Sequence, residues 1–118
     1  MPDSTPESFL PLSAAVFQIL LALADEDRHG YAISQEIETR TAGHVRLGPG
    51  TLYSNLKRLL EDGLIGENAR RPAKAQDDPR RRYYRLTRLG REVAEAEVAR
   101  LEKLVQDARS FGLAPERG

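Results

Sequence analysis

The run Leu10 to Ala24, LPLSAAVFQILLALA, is apolar nearly all the way round a helix, with only Ser13 and Gln18 interrupting it. A helix with one apolar stripe can lie on a surface, whereas one that is apolar on every side needs cover from several directions. The chain has 118 residues, one domain's worth with a single modest core. The run is therefore expected to face both its own core and a second subunit. It is too short to cross a bilayer, and no Lys or Arg precedes it as the basic region of a signal peptide would. A soluble, cytoplasmic protein with no membrane partner is the expectation.

Met1 to Ser8, polar and carrying Pro and Ser, reads as a loose terminus. After the apolar run, acids and Gly30 mark a break, and Tyr31 to about Arg40 reads as a second, shorter helix with Ile33 and Ile37 one turn apart. TAGHVRLGPG is a loop punctuated by glycines and Pro49. The third helix starts there, because proline suits a first-turn position whose N–H has no intrahelical partner. At 100° per residue, Leu52, Leu56, Leu59 and Leu60 share one face and Thr51, Ser54, Lys57 and Arg58 spread over the other. Gly63 then ends the helix, with Leu64 placed for the hydrophobic contact of a Schellman motif.

Leu64–Arg70 and Arg80–Leu86 read as two short strands joined by the turn-rich RPAKAQDDP, with Tyr84 and Leu86 on one face and Tyr83 on the other. Thr87 is the expected N-cap of a long last helix running to about Phe111. Ala94, Val98, Leu101, Val105 and Ala108 follow one another at spacings of 4, 3, 4 and 3, the seam of a helix that packs along another helix. With Leu12, Val16 and Phe17 of the first helix, this seam is the expected interface of a homodimer.

Three helices followed by a hairpin make a winged helix-turn-helix, whose third helix enters the major groove while the hairpin lies against the flanking backbone. The fold class is thus mainly α with a β-hairpin, a winged helix-turn-helix plus a C-terminal dimerisation helix. The expected division is a flexible tail over 1–8, the DNA-binding domain over 9–86, the dimerisation helix over 87–111 and a second tail over 112–118.

Formal net charge is zero, which at first opposes a polyanionic partner. The distribution reverses that inference. Residues 1–27 carry five acids and no base, 28–56 three bases and two acids, 57–91 eleven and five, and 92–118 four and six, so the sum −5 + 1 + 6 − 2 = 0 hides a basic middle third. A local field matters more to double-stranded DNA than the total does.

On the third helix Ser54, Lys57 and Arg58 are placed to reach base edges or phosphates, with Tyr53 at the flank. An ordinary solvated helix face would look similar, and it is the hairpin downstream that favours DNA. Arg80, Arg81 and Arg82, with Arg70, Arg71 and Lys74 across the loop, supply phosphate contacts of a wing, diluted at its tip by Asp77 and Asp78. Catalysis has little support. The absence of cysteine excludes thiol chemistry and thiolate metal sites. Tyr53 and Lys57 fit a Tyr-x-x-x-Lys pair, but no glycine-rich βα turn accompanies them. His29 and His44 are too few for most metal sites and are expected in capping or loop-packing roles. No cofactor, metal or catalytic residue is expected.

HGYAI at 29–33, GTLYSNLKRLLEDGLI at 50–65 and RRYYRLTRLGR at 81–91 together resemble the PadR-like transcriptional regulators, over about residues 10–111. The resemblance implies a winged-helix DNA-binding homodimer that represses a nearby promoter through a roughly palindromic operator. It carries Tyr31, Thr51 and Tyr53 onto positions where the family meets DNA, and Arg81, Arg82 and Tyr83 onto its wing. The full expected DNA surface is Tyr31, Gly50, Thr51, Tyr53, Ser54, Asn55, Lys57, Arg58, Arg80, Arg81, Arg82 and Tyr83. Ser54 and Asn55 stand where many relatives have small residues, and Leu60 replaces a common glutamate. The single last helix is similar to the family's short branch, which often holds flat aromatic ligands between subunits with a tryptophan. This chain has no tryptophan, and Phe9, Phe17 and Phe111 are either the walls of a smaller effector pocket at the dimer interface or ordinary core. The alternatives to a DNA-binding repressor are a winged-helix protein-interaction module and a regulator of another winged-helix family.

Overall fold

Ser13 sets where the first helix begins. Its hydroxyl oxygen accepts a hydrogen bond from Val16 N at 3.1 Å, so helix α1 runs Ala14–Asp25 and leaves Leu10–Leu12 outside. The computed structural model describes residues 5–68 and 82–115. Within them α1 is followed by β1 (Arg28–His29), α2 (Gly30–Arg40), α3 (Pro49–Asp62), β2 (Ile65–Asn68), β3 (Tyr83–Leu86) and α4 (Arg88–Ser110). A 3-10 turn over Pro6–Phe9 precedes α1 and packs against α4. After this turn Phe9, Leu10 and Leu12 lie against the core, forming an N-terminal arm whose residues 5, 7 and 8 are exposed.

The apolar run behaves as its composition demands. Ile19, Leu20, Ala22 and Leu23 are buried, and α1 is covered by α2, α4 and β3. Ile33 and Ile37 of α2 and Leu52, Leu56 and Leu59 of α3 close the same core, with Leu60 at its margin. Burial of each such side chain contributes about 2–3 kcal/mol. Arg40 fastens α2 to α1: its Nε and Nη2 donate to both Glu36 carboxylate oxygens at 2.7 and 2.9 Å, and its Nη1 donates to Gln18 Oε1 at 2.8 Å.

The hairpin is part of a larger sheet. Arg28 and His29 pair antiparallel with Tyr84 and Tyr83, giving a three-stranded order β1-β3-β2 in place of the expected two strands. A two-residue strand has no alternation to read, and it exists only because β3 offers it a free edge. On the other side β2 pairs with β3 from Ile65↔Leu86 to Asn68↔Tyr83.

Helix α3 stops as its sequence predicts. Gly63 adopts φ 78°, and Leu64 N reaches back to Leu59 O at 3.0 Å, the six-to-one bond of a Schellman motif. Thr87 then caps α4 and ties it to that turn. Its hydroxyl accepts from Gly90 N at 3.0 Å and donates to Gly63 O at 2.7 Å. The first half of α4 packs on the core of the winged domain through Gly90 and Val93. Ala94 also packs there, as do Leu12 and Val16, each only partly buried in the protomer.

Glu97 anchors the arm. It is only 2% exposed, and its carboxylate accepts from Arg100 Nε at 2.6 Å, Arg100 Nη2 at 2.9 Å and Leu12 N at 3.3 Å. The Arg100 hydrogen bonds hold the carboxyl below the usual range against the opposing effect of burial.

Candidate nucleic-acid interface

With Leu52, Leu56 and Leu59 buried, the outward face of α3 is set by helix geometry to Gly50, Thr51, Ser54, Lys57 and Arg58, all exposed. Most cations on the described surface are neutralised nearby. Arg28 pairs with Asp25, Arg40 with Glu36, Arg82 with Glu67, Arg88 with Glu92 and Arg100 with Glu97. Among the described residues Lys57 and Arg58 have no such partner. Their charge is therefore fully presented to solvent.

Not every polar group on α3 is equally free. Ser54 Oγ donates to Thr51 O at 3.2 Å and Asn55 Nδ2 donates to the same carbonyl at 2.9 Å. Asn55 is half-buried and, with Arg58, borders a cleft of about 430 Å³ between α3 and the N-terminal arm. Asn55 thus sits on the flank of the reading face, while Arg58 spans face and flank.

The start of α3 is shaped by its neighbour α2. His29 caps α2, its Nδ1 accepting from Ala32 N at 3.2 Å, so the capping role expected of it is realised. The next residue is glycine, and the Tyr53 ring uses the space: a Cβ on Gly30 would lie 2.8 Å from Tyr53 Cζ and would push that side chain aside. Tyr53 is thereby seated against the first turn of α2 with half its surface exposed. Tyr31, 58% exposed, stacks parallel to His29 with centroids 6.5 Å apart. Between the two helices opens a cleft of about 670 Å³ lined by Tyr31, Ser34, Gln35, Thr39, Pro49 and Tyr53 among others. The hydroxyl and amide groups of Ser34, Gln35 and Thr39 were not among the expected contacts. Their signal was the four-residue spacing of Tyr31 and Gln35, whose side chains meet through a 3.0 Å hydrogen bond.

The wing is built differently from the expectation at two positions. Tyr83 is 7% exposed; its ring meets His29 edge-on at 5.3 Å. His29, its cross-strand partner on β1, which the two-strand reading lacked, packs beside the Tyr83 ring on the same face of the sheet. Arg82 is exposed but donates from Nη1 to Glu67 Oε2 at 2.6 Å across the strands, so its charge is offset within the sheet. Arg80 and Arg81 lie outside the described residues, as do Arg70, Arg71, Lys74, Asp77 and Asp78. On the inner face burial pushes the Tyr84 hydroxyl up from its ordinary range.

Of the expected dimer residues, Phe17, Val98, Leu101 and Val105 line one shallow groove of about 270 Å³ between α1 and α4, and Ala108 is half-buried further along α4. Phe111 is 80% exposed at the end of α4, while Phe9 packs against the core and Phe17 lines this groove. Among the described residues no group of three or more His, Asp or Glu is arranged to hold a metal ion. Among the same residues no helix is long and apolar enough to cross a membrane.

Comparison with known proteins gives a consistent picture. A Mycobacterium tuberculosis transcriptional regulator is 36% identical over 95 residues, covering 80% of this chain and 82% of that protein. A 37.1 kDa Streptomyces fradiae transposon protein is 43% identical over 86 residues, which cover 73% of this chain and 22% of the longer protein. Among solved structures, a Clostridium thermocellum transcriptional regulator superposes with a TM-score of 0.67 at 28% identity, covering 81% of this chain and 90% of that one. Residues 19–96 match the description of the transcriptional regulator PadR-like family. The matched span runs from the middle of α1 into α4 and includes the whole candidate interface, and the chain belongs to the PadR-like family, whose members regulate transcription rather than catalyse a reaction.

Proposed function

We propose that this chain is a homodimeric DNA-binding regulator that represses transcription from a palindromic operator and is released by a small-molecule effector at the dimer interface. The observation that carries the reading is the outward face of α3, where Lys57 and Arg58 stand exposed beside Thr51 and Ser54 without an ion-pair partner among the described residues. Cations left unpaired are available to displace counterions from phosphates, the term that dominates DNA affinity. Thr51 and Ser54 sit one turn nearer the helix start, where a recognition helix meets base edges. The cleft between α2 and α3, with Tyr31, Ser34 and Gln35 on one wall, supports a path for the sugar–phosphate backbone alongside.

A single reading head binds weakly, and two on one dimer meet successive major grooves. The groove of Phe17, Val98, Leu101 and Val105 supports both the dimer and an effector within it. An effector there acts only through different affinities for the two arrangements of the subunits.

The test is fluorescence anisotropy with the DNA upstream of the protein's own gene and a scrambled duplex of equal length, across about 50–200 mM salt. Preferential binding of the upstream DNA, two chains per duplex, is expected. Lys57→Ala and Arg58→Ala should each weaken binding and lower the salt slope by about one, with circular dichroism unchanged. Equal and salt-erased binding to both duplexes would favour the protein-interaction reading instead.

A further inference from the structure

Arg58 and Asp62 stand one turn apart on the flank of α3 beside the N-terminal arm, and both line the cleft of about 430 Å³ there. They are opposite in charge but do not pair with each other, and among the described residues neither has another ion-pair partner. The rest of the lining is largely apolar. Phe9, Leu12 and Val16 offer half-buried side chains to it, over the buried Leu59 and Leu64. The arm is fixed in this position by Leu12 N, which donates to the Glu97 carboxylate at 3.3 Å. A cleft of this size, apolar with a few convergent polar groups, has the dimensions of a small-molecule site. The cleft between α2 and α3 lies on the proposed DNA path and the groove between α1 and α4 on the proposed dimer, so this one alone is left without a role.

The pair of charges says what kind of molecule fits. A plain carboxylic acid would satisfy Arg58 and set its apolar part against Asp62, stripping water from that carboxylate without replacing it. An amine would do the same to Arg58. We infer that the cleft binds a free α-amino acid with an apolar side chain, its carboxylate on Arg58, its ammonium on Asp62 and its side chain against Phe9, Leu12 and Val16.

The two charges of an α-amino acid sit on one carbon, which matches side chains separated by a single turn, about 6 Å along the helix. A guanidinium meets a carboxylate through two parallel N–H donors, the strongest such contact a side chain makes. The ligand carboxylate gains further from α1, whose N-terminus borders the cleft at its cap Ser13. The consequence for the reading face follows from Arg58, which spans face and flank. A carboxylate in the cleft draws this guanidinium away from DNA and leaves Lys57 as the exposed unpaired cation of α3 among the described residues. Amino acid and DNA then compete for one side chain, so each lowers the affinity for the other by the same factor. This regulatory step rests on the DNA-binding reading proposed above, whereas occupation of the cleft does not.

The test is isothermal titration calorimetry of the full chain with L-leucine and L-phenylalanine. The controls are N-acetyl-L-leucine, which lacks the ammonium, and L-leucinamide, which lacks the carboxylate. The free amino acids are expected to bind roughly tenfold or more tightly than either derivative, the effect of one lost charged hydrogen bond. Asp62→Asn should weaken L-leucine by a similar factor and bring N-acetyl-L-leucine level with it. Asp62 lies outside the proposed DNA surface, so this variant should bind the upstream duplex as the unaltered chain does. Saturating L-leucine should weaken the unaltered chain on that duplex and lower its salt slope by about one, and should do neither to Asp62→Asn. No binding of either amino acid at about 10 mM, or equal binding of L-leucine and its N-acetyl derivative, overturns the site. Amino-acid binding as expected with DNA affinity unchanged overturns the competition and leaves the site standing. A chain that binds L-leucine but neither duplex overturns the DNA-binding reading instead, since the calorimetry does not depend on it.

Discussion

At the scale of single residues, the glycines show which positions are governed by packing. Gly90 lies where α4 crosses the entry to β2, and a Cβ there would come within 2.9 Å of both the Leu64 carbonyl carbon and Leu86 Cδ1. The Leu64 carbonyl already accepts from Thr87 N at 3.2 Å, so that backbone is held from the same side and cannot retreat. Gly90→Ala is therefore expected to destabilise the protein by about 3 kcal/mol, as overpacked cores do, measured by urea unfolding at an unchanged m-value. Gly50 is the contrasting case, with open space around the position where its Cβ would stand. Alanine there should leave stability unchanged or raise it by about 0.5–1 kcal/mol.

At the scale of elements, the link between the N-terminal arm and α4 depends on the charge of Glu97. Its ionised form accepts three hydrogen bonds, and the Arg100 guanidinium lowers its pKa relative to an ordinary glutamate. For a carboxyl depressed in the folded state, the stabilisation is complete above the unfolded pKa and disappears as pH falls through the folded one. Glu36, lowered by Arg40, contributes with the same sign on α2. Stability should thus fall on acidification below about pH 4.5, the ordinary glutamate range. Glu97→Gln should be less stable at neutral pH, with a shallower loss of stability toward acid. Urea midpoints followed from neutral to acid pH for both proteins check this; identical slopes would remove Glu97 from the account.

At the scale of the whole molecule, the proposed dimer sets a distance between two α3 helices. Half-sites separated by one helical turn, about 10–10.5 base pairs centre to centre, present their major grooves on the same side of the duplex. Inserting five base pairs turns one half-site to the far side. Affinity for such a duplex should then drop to that of a single half-site, as competition in the anisotropy assay would report. What the sequence determined by itself was every feature fixed within a few residues. Leucines spaced by helical turns gave α3 its faces, Gly63 and Thr87 marked a helix end and a helix start, and His29 was legible as a cap. Local dihedral preferences and nearest hydrogen bonds decide such features, and these are written in short stretches of sequence. The tertiary structure alone decided which surfaces are covered. Arg28–His29 became a strand because β3 passed beside it, and that pairing set His29 beside the Tyr83 ring. Arg82 found Glu67 fifteen residues away, and along the even seam of α4 Val98 and Val105 are exposed while Ala94, Leu101 and Ala108 are half-buried. Periodicity states that a face is apolar, but what lies against it depends on where distant segments end, and burial is a property of that whole arrangement.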